Sequence, residues 1–146
     1  MHDARYSFAV TLHGRPTSAR VGPSFALRGL DVPTLEIAPH DFLGFERTFE
    51  EVGSALERLP RMFFEPDGSF VWVSSEEADP WQLDGVLYDR DGRVVHVDLK
   101  GSCPAKALDR LLATLGCPTG EVVFQLSREA LFLDEATFRR FAAAAT

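Results

Sequence analysis

Residues 83–101, LDGVLYDRDGRVVHVDLKG, constrain the fold more than any other stretch. Two runs in which apolar residues alternate with others flank Asp91-Gly92, and that pattern closes as an antiparallel hairpin. Asp89-Arg90-Asp91-Gly92 suits a type I turn followed by a glycine in the left-handed region, a three-residue loop with a bulge. With that loop, Asp89 is expected opposite Arg93, Leu87 opposite Val95, Gly85 opposite Val97 and Asp84 opposite Asp98. Residues directly across share a face. Leu87, Val95, Val97 and Leu99 then form an apolar face, and Asp84, Val86, His96, Asp98 and Lys100 form the other. A two-residue loop would shift the pairing by one and turn Asp84 away from Asp98.

The rest of the chain supplies partners for the hairpin. Tyr6, Phe8, Val10 and Leu12 alternate as in a half-buried strand. Residues 13–40 are rich in Gly and Pro, with two short strands expected at 25–28 and 34–37. Phe42, Phe45, Phe49, Val52, Leu56 and Leu59 recur at steps of three and four, which predicts a helix ended by Pro60 with Glu46, Glu50 and Glu57 beside the stripe. A hairpin follows around Pro66-Asp67-Gly68, with Phe70 and Trp72 alternating. PAKALDRLLATLG reads as a helix opened by Pro104 and closed by Gly116. EVVFQLS reads as a short buried strand, and LDEATFRRFAAAA as a helix that Asp134 caps. The order predicts an α+β or α/β domain with a mixed β-sheet flanked by helices. Its 146 residues suit a single domain, with 1–40 a β-rich N-terminal extension and 41–146 the core.

Composition narrows the function classes. No apolar run approaches ~20 residues, so no helical membrane span is expected. The N-terminus lacks the order of a signal peptide, and a cytoplasmic location is the expectation. Cys103 and Cys117 bracket a helix whose ends lie ~20 Å apart, too far for a disulfide between them. A net charge of −7 disfavours a protein that coats nucleic acid. Yet Arg5, Arg15, Arg20 and Arg28 have no acid among them, whereas 21 acids face 11 basic residues from Asp31 onward. That basic lobe can receive DNA phosphates, or its arginines can simply be scattered and solvated.

The polar face of the hairpin carries the chemistry. Two carboxylates ~5 Å apart repel by about 3 kcal/mol at an effective dielectric of about 20. A shared proton, the Lys100 ammonium or a divalent cation would offset this, and hard oxygen ligands suit Mg²⁺ or Mn²⁺. A lysine on the same face can orient a water or stabilise developing negative charge.

This stretch resembles the core of the PD-(D/E)xK nuclease superfamily, in the branch found in bacterial recombination nucleases. There an Asp-bearing strand is followed by a hairpin and an Asp-x-Lys strand. The resemblance implies a restriction-endonuclease-like core of helix, three strands, helix and strand over residues 41–126. It implies that Asp84 and Asp98 ligate the metal, that the Leu99 backbone carbonyl is a further ligand, and that Lys100 is catalytic. Glu46 would be the acid on the first helix, with Glu50 and Glu57 as rivals. The activity implied is metal-dependent DNA phosphodiester cleavage.

Two other readings stand beside it. A non-catalytic binding or regulatory module on the same scaffold would use protein–protein contacts, which tolerate an acidic body better than nucleic acid does. A plain α+β domain would have Asp84, Asp98 and Lys100 on a solvated face, His96 as packing, and a homodimer formed through an edge strand.

Overall fold

The computed structural model describes residues 4–75, 77–117 and 120–144. Strand β1 (Arg5–Gly14) lies in the middle of the sheet. Its alternation is complete: Tyr6, Phe8, Val10 and Leu12 are buried on one side, while Ser7 and Ala9 are exposed on the other.

The chain continues as strands β2 (Arg20–Leu27) and β3 (Leu30–Glu36), helix α1 (Phe49–Glu57), and strands β4 (Met62–Phe64) and β5 (Ser69–Val73). Then come β6 (Gln82–Arg90), β7 (Arg93–Pro104), helix α2 (Ala105–Leu115), β8 (Val122–Leu126), β9 (Phe132–Leu133) and helix α3 (Glu135–Ala143). The fold is α+β, with one nine-stranded sheet in the order β2-β3-β9-β8-β1-β7-β6-β5-β4. Every described pairing is antiparallel, so the sheet is not the mixed one expected from the element order. Residues 5–14, at the start of the expected extension, are part of the same sheet. They fill the gap between β7 and β8, and each neighbour pairs with them.

All three helices cover the face that carries Tyr6, Phe8, Val10 and Leu12. Val52 and Leu56 from α1, Leu108 and Leu111 from α2, and Phe138 and Phe141 from α3 share one core with Phe70, Trp72, Leu83, Leu87, Val97 and Leu99. Among the described residues, no α-helix covers the opposite face. A small apolar cluster of Leu35, Ile37 and Val123, with Phe42 and Phe132 packed on it, covers only one side of that face.

Helix α1 starts at Phe49, seven residues after the apolar stripe begins. Thr48 accepts from the Glu51 N–H while the Glu51 carboxylate takes the Thr48 N–H, a capping box that fixes the first turn. Phe42 and Phe45 belong instead to a segment that crosses the sheet. The ends of the other two helices match the sequence: Gly116 closes α2 in the left-handed region, and Asp134 caps α3 through the Thr137 N–H.

The hairpin between β6 and β7 departs from the expected turn. Asp91 and Gly92 both have positive φ, 54° and 83°, which is the pattern of a two-residue type I′ turn. Arg90 pairs with Arg93 and Asp89 with Val94, and the register then slips by one residue so that Tyr88 meets His96. Beyond the bulge Leu87 pairs with Val97 rather than Val95, and Gly85 with Leu99 rather than Val97. The two-residue turn would have flipped the faces, and the bulge flips them back.

The sheet edges differ. β4 is three residues long, whereas β2 carries Pro23 and a register shift between Val21 and Ser24. Gly85 is required by packing: a Cβ there would lie 2.1 Å from the Phe70 ring, which crosses over the glycine. Gly85→Ala is therefore expected to lower stability by about 1–3 kcal/mol through overpacking. Urea unfolding checks this, and Phe70→Leu added to Gly85→Ala is expected to recover part of the loss.

Candidate functional site

Asp84 on β6 and Asp98 and Lys100 on β7 all project from the face without helices. The parity of the polar face is as the sequence predicts, but the pairing is not. Asp84 lies opposite Lys100, and Asp98 lies opposite Val86. The two carboxylates are diagonal neighbours, ~7–8 Å apart at their Cα atoms rather than face to face.

That offset relieves the expected repulsion, and neutral donors do the rest. The Asp98 Oδ1 accepts the Thr11 hydroxyl at 2.6 Å, because Thr11 sits directly across on β1. The Asp98 charge, ahead of burial, pushes the Tyr88 phenol above its ordinary range. The Asp84 Oδ1 accepts the Gln82 amide at 2.9 Å. Lys100 forms no ion pair with either acid among the described residues. A shallow cleft of about 330 Å³ joins Asp84, Val86, Asp98 and Lys100.

Leu99 also borders this cleft, whereas the acids expected on the first helix are not brought to it. Leu99 turns its side chain into the core. Odd-numbered β1 residues bond toward β8, as Ala9 does to Ser127, so Val10 bonds toward β7 and engages the carbonyl of its partner Leu99. Glu46 is exposed in the loop before α1. That loop is tied to Arg93 and Val94, roughly 13–20 Å along β7 from Asp98 and Lys100. Glu50 and Glu57 are exposed on α1, which packs on the opposite face. Among the described residues no three His, Cys, Asp or Glu side chains form a group able to hold a metal. Asp84 and Asp98 are separated, and each is hydrogen-bonded through its Oδ1 by a neutral partner.

The basic lobe is dispersed. Arg5 pairs with Asp79 at 2.6 Å and also donates to the Pro80 carbonyl. Arg28 donates to the Ser7 and Phe141 carbonyls and lies over the Phe141 ring, where burial lowers its pKa. Arg20 lies across from Glu36. Arg5 and Arg28 are thereby held as struts against neighbouring backbone and helix.

Sequence reading missed a second group on the open face. His13 lies across from His96, with ring centroids 5.7 Å apart, and His96 stacks on Tyr88 at 4.5 Å. His13 Nε2 is 2.8 Å from the Gln125 Oε1. The β1 alternation already put Thr11 and His13 on the polar side, but nothing local says that β7 lies next to them.

Two expectations follow from this electrostatic arrangement. Asp98→Asn should bring the Tyr88 phenol back down toward its ordinary range, read by ultraviolet titration of phenolate absorbance. The Cys117 thiol is pushed up to about 12, chiefly by burial. Iodoacetamide at mildly alkaline pH should leave it unmodified until the chain is unfolded, as mass spectrometry would show.

No helix among the described residues is long and apolar enough to cross a membrane. Comparison with protein-family models, curated proteins and solved structures finds no match to this chain.

Proposed function

We propose that this chain is a non-catalytic binding module that takes a protein partner on the open face of its sheet. The observation that carries this reading is the composition of that face. Phe63, 59% exposed, and Tyr88, 40% exposed, flank the half-buried Val71, Val73 and Val86, beside the Asp84, Asp98 and Lys100 charges. A sheet face with apolar side chains and a charged margin suits a protein surface. The net charge of −7 favours such a partner over a polyanion. Thr11 and Gln82 donate to the two carboxylates, which supports a reading without a cation.

A photo-crosslinking side chain at position 88 is expected to capture a partner. The same group at the exposed position 50 on α1 should not, and Val86→Glu should abolish capture. Equal capture from both positions would overturn the reading.

One observation favours a second reading, a metal-dependent DNA phosphodiesterase with a restriction-endonuclease-like core: Asp84, Asp98 and Lys100 border a single cleft. Its test is plasmid nicking with Mg²⁺ or Mn²⁺. Cleavage lost in both Asp98→Ala and Lys100→Ala would favour this second reading. Absence of cleavage, with no rise in melting temperature at millimolar metal, would favour the module.

A further inference from the structure

We infer that residues 38–44 form a strap that acid releases from the open sheet face, with His13 as its latch. This stands whether or not the face takes a protein partner. The strap begins with a 3-10 turn, Pro39–Asp41, and lies over the last residues of β1. Its hold on the sheet is narrow. Gly14 and Leu43 exchange two backbone hydrogen bonds of 3.0 and 3.3 Å, and Ser18 donates to Asp41 at 2.9 Å. The approach is so close that a Cβ on Gly14 would lie 2.4 Å from the Leu43 carbonyl oxygen. Beneath the strap lie Ile37, Val123 and Phe132.

His13 is the titratable side chain at the centre of this contact, and only 9% of it is exposed. Phe42 of the strap stacks on its ring, with centroids 3.9 Å apart and planes 17° from parallel. Phe132 of β9 meets it edge-on at 6.3 Å. From β8 the facing groups are Val123 and Gln125, neither of them charged. With Gln125 presenting its carbonyl oxygen, the imidazole Nε2 carries the proton and donates, so acid would add the second proton at Nδ1.

The charged and titratable groups around it oppose one another. From β7, His96 disfavours a cation at His13 and Asp98 favours one. The Asp98 carboxylate, however, already accepts from Thr11, and its charge also acts on Tyr88 of β6. The strap contributes His40 and Asp41, which face each other at 3.4 Å on its outer side. Burial outweighs the Gln125 hydrogen bond and the Asp98 charge, which both favour the cation, and holds the His13 pKa below its ordinary value.

The sign then follows. The closed strap favours neutral His13, while an open strap leaves the ring free to bind a proton. Closure is therefore fully stable above the ordinary histidine pKa of about 6.5 and is lost as pH falls below it. Release would uncover Phe132, Val123 and Ile37 on the sheet and free Phe42 with the strap.

Hydrogen exchange followed by NMR on the full chain tests this at about pH 7.5 and about pH 5. Protection factors, corrected for intrinsic rates, are compared for the Gly14 and Leu43 amides and for core amides of β1 and β8. The strap amides are expected to lose about tenfold in protection at the lower pH while the core amides hold. His13→Phe keeps the stacked ring but cannot titrate, and should make strap protection independent of pH. If that variant does not fold, His13→Gln serves the same purpose. Gly14→Ala should release the strap at both pH values. Equal wild-type protection at both pH values, loss that persists without His13, or simultaneous loss in the core would each overturn the proposal.

Discussion

The two-sided pairing of β1 sets the rest of the molecule. This strand bonds to β7 on one side and to β8 on the other, so neither sheet half is complete without it. Its strict alternation gives the core Tyr6, Phe8, Val10 and Leu12 and gives the open face Ser7, Ala9, Thr11 and His13. Two features of the open face are anchored to β1 residues: Asp98 to Thr11, and the strap to His13 and Gly14. Arg139 on α3 reaches back to the Tyr6 hydroxyl and across to Asp109 on α2, so the helical layer is referenced to the same strand.

The hairpin of β6 and β7 was legible in its faces but not in its pairing. Asp91-Gly92 satisfies either a two- or a three-residue loop, because the glycine is left-handed in both. The bulge that follows falls at Val94 and Val95. Two identical β-branched residues in a row carry no signal of which one enters the core, and in the folded chain it is Val94. The compensating slip keeps the parity, so Asp84, Asp98 and Lys100 share a face even though they are not neighbours in the expected pairs.

Around the site, what could be read and what could not divide by sequence distance. The acids, the lysine and His96 come from one local stretch. Thr11, His13 and Gln125 arrive from segments whose adjacency depends on β1 inserting between β7 and β8. The helix start shows a different failure. Phe42 and Phe45 continue the helical period of Phe49, Val52 and Leu56 by coincidence, since Phe42 packs on His13 and Phe45 enters the core. The Thr48-x-x-Glu51 capping box marks the true start and was present in the sequence as a local signal. Periodicity alone cannot distinguish a helix from a crossing segment whose apolar residues meet two different clusters.

The edge strand β2 has a consequence for the chain at high concentration. Its outer rim exposes Val21 at 83% and would otherwise offer a run of free amides to any extended neighbour. Pro23 interrupts the strand there, and the register slip beside it breaks the regular line of the edge. A nine-stranded sheet that grew by adding copies at this rim would template fibrils, and this short interruption works against such growth.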